Sequence, residues 1–217
     1  MGKKFLIKSG EDAIFYVKLF VMKKKKIFVL VGHPDSTSLS SEFATSYAYG
    51  ALEAGNEVRR TNLGDLSFDP ILHKGYKEIQ PLEPDLLKLQ EDVQWADHLM
   101  IIYPAWWSTM PALLKGMFDR MWLPGFAYKF YKTGPFKDLL WKRLMKGKTA
   151  RVFVVSDSPP ILARMIFGDT TNEIRRGVLW FSGFCVRVKK IGPMKFVTPE
   201  KVEKWKRKFR GWGSDAW

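Results

Sequence analysis

Apolar and polar positions begin to follow a regular beat at residue 27. Residues 27–31 are apolar without a break, as expected of a strand buried on both faces. A polar turn follows through His33, Pro34, Asp35, Ser36, Thr37 and Ser38. The pattern then predicts a helix over residues 40–54, stopped by Gly55. Residues 58–63 read as a second, more polar strand, and Pro70, Pro81 and Pro84 break a long connection ahead of a helix over residues 85–96. The same alternation predicts a strand at 98–103, a helix at 111–121, a strand at 151–156, a helix at 172–180, a strand at 186–191 and a closing helix at 199–210. Strands alternating with helices mean a parallel sheet covered on both faces, the α/β class. No internal repeat or low-complexity segment interrupts it.

In such sheets ligands bind beyond the carboxyl ends of the strands, where strand order reverses. The loops after the first and third strands therefore come first. Residues 32–40 contain neither the G-x-G-x-x-G dinucleotide fingerprint nor the G-x-x-x-x-G-K-[ST] phosphate loop. They do place four hydroxyl side chains and His33 ahead of a helix amino terminus. Two roles suit that arrangement: a phosphate held by free N–H groups and the helix dipole, or a helix cap made by Ser38 or Ser40. The loop over residues 103–111 carries Trp106 and Trp107 between Pro104 and Pro111. A stiff loop with flat side chains at a sheet edge suits a planar aromatic ligand. Packing of both rings on neighbouring elements is the rival reading.

Composition narrows the class. With 217 residues, 46% hydrophobic and 15% aromatic, the chain can bury a core of its own and makes about one domain. The single Cys185 excludes an intramolecular disulfide, no Cys/His spacing for structural zinc occurs, and three scattered histidines argue against a metal site. A reducing, cytoplasmic setting fits this usage. Cys185, at a strand start among apolar neighbours, reads as buried filler.

The net charge of +14 is concentrated at the two ends. Residues 1–26 hold eight lysines against two acids (+6), and residues 185–217 hold ten bases against three acids (+7). The stretch between them, with 18 bases and 17 acids, is left at +1. A nucleic-acid domain would show a basic face and a matching motif; neither is present, so no nucleic-acid partner is expected. The ends read as solvated surface, with peripheral contact to a membrane or transporter as the competing role. Residues 13–22 are apolar but for Lys18, too short to span a bilayer, and the lysines after them are in the wrong order for a signal peptide. The expected division is an N-terminal extension over residues 1–22, one domain over 23–212 and a short tail over 213–217.

A series of motifs says more. In order they are His33-Pro34-Asp35; Leu66-Ser67-Phe68-Asp69-Pro70-Ile71-Leu72; Trp95-Ala96-Asp97; Tyr103-Pro104-Ala105-Trp106-Trp107; Met110-Pro111-Ala112-Leu113-Leu114-Lys115-Gly116-Met117-Phe118-Asp119-Arg120; and Pro124-Gly125-Phe126-Ala127-Tyr128. The series, spanning about residues 26–192, resembles the flavodoxin-like NAD(P)H:quinone oxidoreductases. That group includes quinone reductases, modulator-of-drug-activity B proteins and ancillary flavoproteins of glutathione-gated potassium efflux.

The resemblance implies a flavodoxin-like three-layer sandwich with a five-stranded parallel sheet in the order 2-1-3-4-5. It implies noncovalent FMN or FAD, NAD(P)H as cosubstrate, hydride transfer to a quinone or similar electrophile, and a homodimer. On that pattern His33, Ser38, Leu39 and Ser40 lie along the ribityl and phosphate portion, and Gln90 contacts the flavin. Pro104, Ala105, Trp106, Trp107 and Ser108 edge the isoalloxazine ring, while Ser156, Asp157 and Ser158 flank its pyrimidine side. Tyr128 and Phe130 join Trp107 in the substrate pocket, reaching toward the partner subunit's site.

The sequence also departs from that pattern. The best-studied quinone reductases have a Thr-Thr-Gly-Gly loop after strand four, then a Tyr and a His. Here Ser156-Asp157-Ser158-Pro159-Pro160 stands in its place, and no Tyr or His lies between it and Gly177. The two prolines supply no N–H donors, and no proton donor or other catalytic residue is assigned. Asp119-Arg120 reads as a structural ion pair or cap contact. Two other classes compete with the reductase: a regulatory flavoprotein subunit of a membrane transporter, and a one-electron carrier of the flavodoxin kind.

Overall fold

The computed structural model describes residues 3–9 and 13–19 as backbone and residues 24–216 in full. The sequence pattern's five strands form one parallel sheet. In chain order they are β3 (Lys26–Val31), β4 (Glu57–Asn62), β5 (His98–Pro104), β8 (Thr149–Val155) and β9 (Cys185–Ile191), and in space they run β4-β3-β5-β8-β9. Numbered within the sheet this is 2-1-3-4-5, as expected. β3 and β5 at its centre are almost wholly buried. That is why they read as unbroken apolar runs. The remaining strands pair antiparallel: β1 (Lys3–Ser9) with β2 (Ala13–Leu19), and β6 (Tyr128–Phe130) with β7 (Trp141–Arg143).

Helices α1 (Leu39–Glu53) and α5 (Pro199–Asp215) cover one face; α2 (Pro84–Trp95), α3 (Ala112–Met121) and a π-helical segment (Glu173–Trp180) cover the other. On the first face Ile27, Val29, Phe43, Tyr47, Phe153 and Phe209 interlock; on the second Phe28, Leu30, Leu89, Leu99, Ile101 and Leu114 do. α1 and α5 approach so closely that a Cβ on Gly50 would lie 1.9 Å from the Arg210 carbonyl oxygen, and one on Gly213 2.0 Å from that of Tyr47. Only glycine allows such backbone contact. Lys206 pairs with Glu42 across this seam at 2.7 Å, and Arg210 pairs with Glu53. Part of the C-terminal positive charge is thus matched by acids on α1.

Three differences from the sequence expectation have physical causes. The closing helix runs on through Asp215, because Gly213 and Ala216 pack against the body and Lys25 Nζ donates to the Ala216 carbonyl at 2.8 Å. An additional helix, α4 (Pro160–Phe167), follows β8. Its apolar side chains lack helical alternation, so periodicity could not reveal it. Cys185 is exposed, not buried filler. β9 is an edge strand whose residues alternate in burial, and Cys185 falls on the open side with Arg187 and Lys189. The boundary expected at residue 22 and the final residue of the expected tail lie outside the described residues. Among the described residues, β1 and β2 pair with each other and not with the main sheet.

Candidate functional site

The first loop leaves the carboxyl end of β3 and turns directly into α1. Its turn is built locally: Asp35 Oδ1 accepts from both the backbone N–H (2.8 Å) and the hydroxyl (2.7 Å) of Thr37. Those bonds, the hydroxyl's foremost, hold the Asp35 carboxyl below the usual range. His33 Nδ1 accepts from the Asp35 N–H at 2.9 Å. Ser38 caps α1, its hydroxyl accepting from Ser41 N–H at 3.4 Å. The capping reading is therefore borne out for Ser38. It leaves the N–H groups of Leu39 and Ser40 without intrahelical acceptors, as in any first turn. Behind this turn stands Arg60 of β4, unremarked in the sequence, donating to Ser41 Oγ at 2.6 Å and to Asn62 Oδ1 at 3.0 Å. Its charge adds to the positive end of the helix dipole.

The tryptophan loop follows β5. Trp106 and Thr109 exchange backbone hydrogen bonds of 3.0 and 3.1 Å, closing a two-residue turn around Trp107 and Ser108. Both central residues have positive φ, 50° and 65°, a conformation uncommon for residues other than glycine. Strain of that kind concentrates at functional sites. The turn pushes Trp107 wholly into solvent, while Trp106 packs edge-on against His33 with ring centroids 5.4 Å apart. The Thr109 hydroxyl donates to Glu173 Oε1, tying the loop to the π-helical segment. Ala105 N–H donates to the Val155 carbonyl at 2.7 Å and holds the loop against β8.

The loop after β8 faces it across a cavity of about 410 Å³, within the range of small-molecule sites. Ala105, Trp107, Ser108, Ser156 and Ser158, all named in the sequence reading, contribute to its wall. The wall also includes Val154, Pro160, Ala163, Phe167, Thr170 and Lys190. Of these, Pro160, with Pro159 before it, did carry a legible helix-start signal, since proline favours the first helical position. Thr170 and Lys190 are brought in by tertiary structure alone, Lys190 Nζ donating to Thr170 Oγ1 at 3.0 Å. Gly192, just past β9, lets this loop close: a Cβ there would lie 2.5 Å from the Ser156 carbonyl oxygen and 2.7 Å from that of Ser158.

Other expected residues lie elsewhere or at the rim. Pro104, Trp106 and Asp157 flank the cavity in the chain without lining it; His33 and Ser38 belong to the neighbouring loop, and Leu39 and Ser40 to the first turn of α1. Gln90 is engaged between helices, its amide donating to the Met121 carbonyl at the end of α3 at 2.7 Å. Tyr128 and Phe130 pack edge-on on the β6–β7 hairpin, and Tyr128 meets Phe181 with centroids 5.0 Å apart. Neither lines this cavity. Burial raises the Tyr128 hydroxyl pKa above its ordinary value. Asp119 and Arg120 are structural but not paired with each other: Asp119 holds Lys115 at 2.7 Å, and buried Arg120 holds Glu83 at 2.9 Å.

These parts fit a flavin. A first turn of α1 with free N–H groups, hydroxyls before it and Arg60 behind it suits a phosphate. The cavity beside the strained tryptophan turn suits a flat ring. Among the described residues, no group of His, Cys, Asp and Glu is arranged to hold a metal ion.

Residues 25–202 match the family described as Flavodoxin-like fold (Flavodoxin_2). The chain belongs to that family. Among its relatives, an Escherichia coli protein named as an NAD(P)H oxidoreductase is 28% identical over 131 residues, covering 58% of this chain and 67% of its own. NAD(P)H dehydrogenase [quinone] 1 of Cavia porcellus is 28% identical over 189 residues, covering 75% of this chain and 66% of its own. The matches thus span about two thirds of these relatives' length. The solved NAD(P)H:quinone oxidoreductase from Methanothermobacter marburgensis superposes with a TM-score of 0.72 at 26% identity, covering 89% of this chain and 99% of that one. None of these three carries a transporter subunit's name, and the transporter alternative finds no support in them.

Proposed function

We propose that this chain is a flavin-dependent NAD(P)H oxidoreductase that reduces quinones or similar electrophiles and works as a homodimer. The observation that carries the reading is the convergence, at the carboxyl edge of one sheet, of an anion-ready α1 terminus, a strained tryptophan turn and a 410 Å³ cavity. The names of the similar proteins support it. The chemistry supplied by bound FMN or FAD is two-electron uptake and release.

The chain's own residues would bind and orient. Leu39 and Ser40 N–H groups with the hydroxyls of residues 36–38 hold the phosphate, and Arg60 supplies distant positive charge. Trp106 and Trp107 would edge the ring and His33 would lie along the ribityl and phosphate portion, while Ser108, Ser156 and Ser158 would offer polar contacts around the cavity. Holding donor and acceptor in turn against one ring face provides the proximity term of the rate. Tyr128 and Phe130, outside their own subunit's cavity, would serve a partner's. Gln90 gives one amide N–H to the Met121 carbonyl and would use its Oε1 or second N–H toward the flavin. A reducing cytoplasm, in which Cys185 stays a thiol, is the setting proposed.

The test is the visible spectrum of the purified protein with FMN or FAD, titrated anaerobically with NADPH and NADH. The expected result is a bound-flavin spectrum bleached by a nicotinamide and restored by a quinone. A protein that binds neither flavin, or whose flavin neither nucleotide bleaches, overturns the proposal.

A further inference from the structure

Among the described residues, Lys190 is the one charged side chain in the wall of the cavity beside Trp107; the others are hydroxyl-bearing, aromatic or aliphatic. Strand pairing sets it beside Val154 of β8, which lines the same wall. Its side chain is 20% exposed. Nζ donates to Thr170 Oγ1 at 3.0 Å, and an ammonium has three hydrogens to give. The acid beside it is Asp169, at 4.0 Å. That carboxylate already accepts from the N–H and the hydroxyl of Thr171, at 3.1 and 2.7 Å.

The loop after β8 has few donors left for an anion in the cavity. Ser156 gives its N–H to the Ile191 carbonyl at 2.8 Å, and Ser158 gives its own to Ser156 Oγ at 3.1 Å. Pro159 and Pro160 have none. Among the described residues, Asp157 alone in the stretch 156–160 keeps an N–H with no acceptor, and its carboxylate opposes negative charge. We propose that Lys190 balances the negative charge gained by a flavin bound in this cavity, with Thr170 and Asp169 positioning its ammonium. The inference rests on the proposed reductase function. A hydride carries two electrons and one proton, so the ring that accepts it gains one negative charge, and the nicotinamide leaves with one more positive charge. Lys190 supplies no proton in this step. Its charge stands in place beforehand, in a cavity where a fixed cation acts more strongly than in water.

The experiment measures, on the flavin-loaded protein, the midpoint potential against a reference dye, and the dissociation constant of oxidised flavin by fluorescence. K190Q is expected to hold oxidised flavin within about twofold of wild type and reduced flavin about tenfold less tightly. That ratio lowers the two-electron potential by about 30 mV. K190R, which keeps the charge, should restore most of the shift. D169N removes the opposing charge while its amide oxygen can still accept from Thr171, and it should move the potential upward. A tie that is only structural would shift K190Q and D169N in the same direction, and that result overturns the proposal. An unshifted K190Q, with its flavin still bleached by a nicotinamide, overturns it too and leaves the reductase reading standing. If K190Q takes up no flavin, D169N decides: a raised potential supports the assignment, and an equal or lower one refutes it. A wild type that binds neither flavin removes this inference together with the reductase reading.

Discussion

His98 opens β5 with its ring fully enclosed, Nε2 3.0 Å from Tyr47 Oη and Nδ1 2.7 Å from Thr149 Oγ1. The neutral ring satisfies both hydroxyls, one nitrogen donating and the other accepting. A proton added here would be buried near Arg151 and Lys25. Burial first, and those two charges second, press the pKa down to about 3. The unfolded chain binds the proton near pH 6.5, so it holds more protons than the native state between these values. Stability is therefore full above about pH 6.5 and falls as pH drops toward 3, by about 1.4 kcal/mol per pH unit from this group alone. Between pH 7.5 and 4.5 the loss comes to about 3 kcal/mol. Urea unfolding at a series of pH values measures it, with H98Q as the comparison. That variant should be less stable at pH 7.5 by about 1–3 kcal/mol, because Tyr47 and Thr149 lose well-placed partners. Its stability should also fall less steeply with acid, the two curves converging by about 3 kcal/mol at pH 4.5. Carboxylates such as Asp69 and Glu83, also held low, affect both proteins alike and cancel. Parallel curves would refute the assignment.

Two further substitutions probe the frame around the site. Arg120 is buried on α3 and donates to the Asp69 and Pro81 carbonyls as well as to Glu83; R120A should cost on the order of 3 kcal/mol in urea unfolding by stranding those acceptors. G192A should weaken flavin binding at least tenfold in a fluorescence titration, since its Cβ would displace the Ser156 and Ser158 carbonyls. Unchanged affinity would show that this loop does not shape the flavin site.

What could be read from the chain and what could not separate along physical lines. The five strands and five of the helical segments show in local pattern because sheet burial on both faces leaves unbroken apolar runs, and because Gly55, Pro84 and Pro199 punctuate helix ends. The long motif from Pro104 to Arg120 identified the family, and with it the strand order, which no local pattern encodes. Trp107 and Ser108 stood out in the sequence as candidates and line the cavity, yet their positive φ was not legible: nothing in the residue types asks for it, and the Trp106–Thr109 closure imposes it.

The sequence by itself determined the α/β class, the position of the loops after the first and third strands of the sheet and the neutrality of the body between two basic ends. Tertiary structure decided which residues meet. Lys190 and Thr170 reach the cavity from β9 and from the segment after α4, and Arg60 stands behind α1 from a neighbouring strand. Gln90 gained the Met121 carbonyl as a partner, and Cys185 faced solvent on an edge strand. Each of these depends on contacts between distant segments, whose energy appears only when the sheet assembles. The exposure of α4 is the clearest case. Its apolar residues look like core in one dimension, and only the packed fold shows that, among the described residues, Ile161, Met165 and Ile166 stay mostly exposed.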